Sequence, residues 1–242
     1  MSGPPIGPKV AMVLAAGLGT RMRPLTNDRP KALVEVHGKA LIDHMLDRLA
    51  AAGVETAVVN VHAFADRLEA HLKTRQTAPK IIISDERPEA LETGGGLKHA
   101  MPLLGKGPVW VANIDSVWIE TGVPALEAMV AAWDPERMDV LLMLAPTATS
   151  LGFHDSGDVF LEDDGAIRFK ATGETGPLVY VGVHICDPAI VKDGPEGPFS
   201  LTPLWRSLAS DRRVHGVTPD GLWMHVGDPD AKLAAEAKLS EG

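Results

Sequence analysis

The sequence predicts an α/β chain with a mostly parallel central sheet and helices on both faces. Three observations predict it. Short apolar runs alternate with helical periodicities from residue 9 to about 146, the pattern of strand–helix–strand units. The first run ends on a glycine turn, at the strand edge where open α/β sheets hold ligands. The chain has 242 residues, 45% of them hydrophobic, enough for one large core.

The elements follow in order. Lys9 to Ala16 reads as a buried parallel strand ending at Gly17. "ALIDHMLDRLAAAG" places Leu41, Ile42, Met45, Leu46 and Leu49 on one helical face, with Gly53 as the stop. "ETAVVNVH" is a β-branched strand, and "AFADRLEAHL" a helix with Phe64, Leu68 and Leu72 at four-residue spacing. "KIIIS" is a strand, "GGGLKHAMPLL" a helix opening on glycines, and "PVWVAN" a strand. "PALEAMVAAW" is a helix and "DVLLMLA" a strand. The texture then changes. "GDVFLEDDGAIRFK" reads as a hairpin turning on Asp-Asp-Gly. "LVYVGVHI" is a strand, "SLTPLWRSLAS" a helix with proline in its first turn, "GLWMHV" a strand, and "DPDAKLAAEAKL" a closing helix starting at Asp228 or Pro229. The expectation is a single domain over residues 1–242. Residues 1–8 form a flexible Pro/Gly-rich tail, 9–146 a nucleotide-binding half, and 147–242 a sugar-binding half that covers one sheet edge.

Composition excludes several classes. One cysteine, Cys186, rules out an intrachain disulfide framework and suits a reducing compartment. No apolar run is long enough for a membrane span, and the N-terminus lacks a signal core, so a cytoplasmic protein is expected. Net charge is −9, yet residues 1–31 hold Lys9, Arg21, Arg23, Arg29 and Lys31 against Asp28 alone, a local +4. That balance opposes a broad nucleic-acid face and favours one small anion. Arg23 and Arg29 read equally as salt-bridge or solvated surface residues.

The local charge flanks a glycine turn, "VLAAGLGTRMRPLTNDRPKALV". Backbone N–H groups at such a turn favour phosphate. A P-loop would need Gly-Lys-Ser/Thr after four spacer residues, which is absent, and the dinucleotide fingerprint lacks its third glycine at Met22. A bare Gly-x-Gly is also compatible with a tight turn.

The longer array is more specific. Gly17 to Arg21, Pro24-Leu25-Thr26 and Pro30-Lys31 resemble the signature of the sugar-1-phosphate nucleotidyltransferases, or NDP-sugar pyrophosphorylases. "LETGGGLKHAMPLLG", "VANIDSVW", "FSLTPLW" and "LWMHVGDPDAKL" resemble further segments of that family. The resemblance implies a Rossmann-like three-layer sandwich, the nucleotide-diphospho-sugar transferase fold. It implies transfer of a nucleotidyl group from a nucleoside triphosphate to a sugar-1-phosphate, with Mg2+ (Mn2+ as the other candidate) and release of pyrophosphate. Glu92 to Gly96 with the short second half most resembles the uridylyl-transferring branch that takes N-acetylmuramate-1-phosphate in peptidoglycan recycling. Guanylyl or thymidylyl transfer to mannose-, heptose- or glucose-1-phosphate, and a non-catalytic nucleotide-sugar-binding regulator, are the alternatives. A monomer or simple dimer is expected, without a long C-terminal β-helix.

On that resemblance, Arg21 and Lys31 are the candidate catalytic residues. A guanidinium grips phosphate oxygens in pairs, and an ammonium bridges them as a point charge. Gly17, Gly19 and Thr20 would give N–H groups to the triphosphate. Ala15 and Ala16 are small enough to leave room for the base, or for tight packing. Gly95, in the glycine run, would let a base approach, and Glu92 would either accept from its N3–H or serve as a helix N-terminal acid. Asp115, at a strand's end, is the candidate metal ligand. Asn113 would bond the sugar or orient Asp115. Lys170 and Gly182 are candidates for the sugar-phosphate pocket. The family's second metal aspartate is replaced by His225, and the glycine of Asn-Gly-Asp by Ile114. His225 would hold a softer ion, contact phosphate, or be a core histidine.

Overall fold

The computed structural model describes residues 7–241. Most of the expected tail, residues 1–6, lies outside the described residues. Pro8 is buried, so the chain is already packed two residues before the first strand and the expected flexible tail of 1–8 does not reach that far.

The chain begins with β1 (Val10–Leu14), passes the glycine turn, and makes a small antiparallel hairpin of β2 (Glu35–Val36) and β3 (Lys39–Ala40). His37 and Gly38 turn it with positive φ of 52° and 74°, the left-handed pair that fits a two-residue hairpin. Then come α1 (Leu41–Ala51), β4 (Thr56–Val61), α2 (Ala65–Thr74), β5 (Lys80–Asp85), α3 (Glu92–Leu104), β6 (Val109–Asn113), β7 (Ser116–Glu120), α4 (Ala125–Ala132) and β8 (Val140–Pro146). The second half adds β9 (Val159–Leu161), β10 (Ile167–Phe169), β11 (Leu178–Cys186), α5 (Thr202–Ser210), β12 (Val214–Val217), β13 (Gly221–His225) and α6 (Pro229–Leu239). The expected hairpin is β9–β10. Asp228 caps α6 by accepting from the Ala231 N–H at 2.8 Å, and Pro229 follows it, as its sequence suggests.

Nine strands form the main sheet. β5, β4, β1 and β6 run parallel, and β8 points the same way. Between β6 and β8 sits β11, antiparallel to both, so the second half contributes a central strand instead of only an edge cover. β12 borders β8 in parallel, and β9–β10 hang from the start of β11. Alternation sorts the side chains into two layers. Ala11 and Val13 face the α1, α2 and α4 side, where Leu41, Met45, Leu68 and Met129 pack. Met12 and Val58 face the α3 and α5 side, against Leu97, Leu104 and Trp205. β7 and β13 pair as a separate ribbon whose near end, His225 opposite Ser116, lies beside the tip of β6.

Candidate active site

A cavity of about 450 Å3 opens at the C-terminal ends of the parallel strands. Its lining comes from the end of β1 (Ala15, Ala16, Gly17), from β4 (Asn60) and the residue just past β5 (Glu86), from the start of α3 (Glu92, Thr93), and from the tip of β6 (Asn113, Ile114, Asp115), with Lys31 and Ser200 closing it.

The glycine turn presents donors. Among the described residues, the N–H groups of Gly17, Leu18 and Gly19 have no protein acceptor. Gly19 has φ +61°, and a Cβ there would press on the Lys31 Cβ at 3.0 Å from a left-handed backbone, so the turn favours glycine. The Thr26 hydroxyl fastens the turn by donating to the Gly19 carbonyl at 2.8 Å. Thr20 and Arg21 start a short 3-10 turn and are exposed. Arg29, in contrast, pairs with its neighbour Asp28 at 3.0 Å and is the surface cation its sequence allows. The Ala15 and Ala16 N–H groups both donate to Asn60 Oδ1, at 2.6 and 3.1 Å, so these alanines offer the cavity their small side chains and no donors.

Lys31 and Asp115 meet across the cavity floor, Nζ to Oδ2 at 2.8 Å, although 84 residues separate them. Burial alone would raise the Asp115 pKa. The Lys31 ammonium, aided by His225 and by the hydrogen bond from Lys31, outweighs it and holds the carboxyl below its ordinary value. His225 Nδ1 lies 3.9 Å from the same carboxylate oxygen. Burial lowers the imidazole pKa, and Lys31 and Arg21 add to this against the opposing pull of Asp115, which favours the neutral ring. Ile114, where the family pattern has glycine, avoids positive φ and buries its side chain in the core, so the β6–β7 turn needs no glycine.

The other candidates fall differently. Asn113 lines the cavity, and Gly182 lies directly behind it: a Cβ there would be 2.9 Å from Asn113 Nδ2. Glu92 lines the cavity and has φ +59°, a strained backbone for a non-glycine residue. Gly95 does not line it. Its N–H donates to the Phe199 carbonyl, and the space of a Cβ is filled by the Gly197 carbonyl 2.4 Å away, so the glycine run admits protein backbone where a base was expected. Lys170 is also outside the lining and donates to the Ser156 hydroxyl at 2.6 Å. Sequence reasoning missed Asn60 and Glu86. The available signal was a polar residue closing each of two apolar strands, "VVN" and "IIISDE".

An edge that offers free backbone N–H groups, a buried lysine and a carboxylate suits a polyphosphate held by charge and position, the kind of catalysis that nucleotidyl transfer calls for. The fold is that of the nucleotide-diphospho-sugar transferases. The structure of UDP-glucose pyrophosphorylase complexed with UDP-glucose superposes with a TM-score of 0.79 at 17% identity, over 96% of this chain and 98% of that one. The chain belongs to the MobA-like NTP transferase domain family, matched over residues 11–150, and is a sugar-1-phosphate nucleotidyltransferase. It is 74% identical over 237 residues to the N-acetylmuramate alpha-1-phosphate uridylyltransferase of Caulobacter vibrioides, covering 97% of this chain and 98% of that protein. It is 37% identical over 221 residues to the protein of the same name from Neisseria meningitidis, covering 90% and 92%. Among the described residues no helix is long and apolar enough to cross a membrane.

Proposed function

We propose that this enzyme joins UTP and N-acetylmuramate α-1-phosphate to give UDP-N-acetylmuramate and pyrophosphate. The observation that carries the reading is the 74% identity to the Caulobacter vibrioides uridylyltransferase over nearly both full lengths. A phosphate oxygen of the sugar-1-phosphate attacks the α-phosphorus of UTP. A new P–O bond forms there, the bond to the oxygen bridging the α- and β-phosphates breaks, and pyrophosphate leaves with the electron pair.

Each residue role follows from charge and place. The free N–H groups at Gly17 and Gly19 cradle the triphosphate, with Thr20 at the head of the next turn. Arg21, exposed beside them, grips the leaving pyrophosphate. Lys31 moves its charge between the attacking and α-phosphates. Ala15 and Ala16 leave space for uracil, and Glu92 accepts from its N3–H. Asn113, backed by Gly182, bonds the sugar side. Lys170 is a weaker sugar-phosphate candidate because it is tied to Ser156.

The donors fit a divalent cation through Asp115. A hard carboxylate facing the phosphates suits Mg2+, which takes one or two carboxylates with phosphate oxygens and water. Among the described residues no group of three or more His, Cys, Asp or Glu forms a cage, and the neutral His225 imidazole suits Mn2+ better than Mg2+. When bound, the ion would neutralise charge on the transferring phosphates. We place the enzyme in the cytoplasm as a monomer or simple dimer acting in peptidoglycan recycling; the free buried thiol of Cys186 agrees with a reducing compartment.

The test is pyrophosphate release from each of the four ribonucleoside triphosphates with N-acetylmuramate-, mannose- and glucose-1-phosphate, in Mg2+ or Mn2+. Release with UTP and N-acetylmuramate-1-phosphate is expected. Release with GTP and mannose-1-phosphate in its place would overturn the substrate assignment.

A further inference from the structure

We infer that Asn60 and Glu86 form a buried positioning pair that sets the spacing between the two walls of the nucleotide-base end of the cavity. The identity of the nucleotide rests on the uridylyl reading above; the pair itself rests on the geometry.

One wall is the end of β1, Ala15 and Ala16. The other is the start of α3, Leu91 to Thr93. They belong to different units of the fold, and one continuous chain of hydrogen bonds joins them. Asn60 Oδ1 accepts the Ala15 and Ala16 N–H groups at 2.6 and 3.1 Å. Asn60 Nδ2 donates to Glu86 Oε1 at 2.8 Å. Glu86 Oε2 accepts the Leu91 N–H at 3.2 Å, immediately before the strained Glu92. Both side chains are 2% exposed, so water cannot replace a lost partner cheaply. The amide orientation is forced, because the alanine N–H groups need the oxygen and the carboxylate needs the nitrogen. Helix α3 rests on the pair: a Cβ on Gly96 would lie 2.9 Å from Glu86 Oε1 and 3.2 Å from Asn60 Nδ2.

Neither residue is needed to touch the phosphates. Their bonds to each other and to the two walls hold them at the β4–β5 side of the lining, whereas Lys31 and Asp115 meet at its β6 side. The pair therefore acts on how tightly the nucleotide seats, through the distance between the alanine wall and Glu92. A residue with a merely structural role would lower folded fraction and turnover together.

A charge-conserving swap tests this. In Asn60→Asp the new carboxylate faces the Glu86 carboxylate. In Glu86→Gln two amide groups compete, and either the Asn60 or the Leu91 bond is lost. In the double variant Asn60→Asp/Glu86→Gln the glutamine nitrogen donates to the aspartate, and every wall bond has a partner again with only the middle bond reversed. Each single variant should raise KM for UTP by about 10- to 100-fold, the cost of one unsatisfied buried group, with kcat at saturating UTP changed less than about threefold. The double variant should return KM to within about threefold of the parent. Unchanged KM in the singles, losses of kcat that track the melted fraction, or a double no better than the worse single would each overturn the pair. If the parent turns over GTP instead of UTP, the uridylyl reading fails, and the same variants are read by KM for GTP with the same criteria.

Discussion

At the scale of single residues, Lys31 carries the largest expected effect. It is 9% exposed and its ammonium compensates Asp115. Lys31→Ala would leave that carboxylate buried without its main counter-charge, raise its pKa, and remove a cation from the phosphates. Turnover should fall by on the order of 10^2–10^4, whereas Arg29→Ala, which breaks only an exposed pair with Asp28, should stay within about twofold of the parent. Steady-state pyrophosphate release checks both, and parental turnover in Lys31→Ala would remove Lys31 from the mechanism. Glu92 gives an opposite kind of prediction. Its φ of +59° costs a non-glycine residue about 1 kcal/mol or more. Glu92→Gly should therefore raise the melting temperature while weakening UTP binding. A variant that binds UTP as tightly as the parent would exclude Glu92 from base recognition. Lys31 and Asp115 were legible as neighbours in one cavity because a loop signature and a strand-end acid fix their surroundings locally, whereas Arg21 stands exposed on the glycine turn, outside the lining. Asn60 and Glu86 were not legible, since each is one polar residue and their meaning lies in a contact across 26 positions. Gly95 misled for a related reason: a glycine marks a close approach but does not say by what.

At the scale of elements, β11 concentrates the consequences. Its register shifts between Tyr180 and His184, and Gly182 with φ +87° sits at the shift against Asn113. Gly182→Ala would force a Cβ into Asn113 from a left-handed backbone. It should destabilise the protein by about 1–3 kcal/mol and raise KM for the sugar-1-phosphate, checked by denaturant melts and kinetics. The strand also carries His184, whose Nδ1 hydrogen-bonds the Tyr180 hydroxyl at 2.7 Å under Trp205. Burial pushes its imidazole down to about 3 from an ordinary 6.5. The unfolded chain therefore takes up a proton that the folded chain refuses between those values. The stabilising contribution is complete above pH 6.5 and is lost as pH falls toward 3, by at most about 1.4 kcal/mol per pH unit. His184→Gln should flatten this part of a stability-against-pH curve. A slope equal to the parent's would show that other groups set it.

At the scale of the molecule, the alternation of strands and helices up to residue 146 was readable, because parallel units need helical crossovers and each carries its own periodicity. The place of β11 was not readable. A continuous apolar run declares burial on both faces but does not name its neighbours. The two halves expected from the change of texture at 146 in consequence share one sheet. β8 has its two partners, β11 and β12, in the second half; β6 has one of its two there; and β7 pairs with β13. A fragment ending at residue 146 would leave β8 with no strand beside it and would expose an apolar β6 edge to solvent. Such edges pair with other chains. We therefore expect the fragment 1–146 to aggregate or stay unfolded, and the whole chain to melt in one calorimetric transition with matching calorimetric and van't Hoff enthalpies. A monomeric fragment with a cooperative melt and retained UTP binding would show that the nucleotide half folds alone and that β11 only completes it.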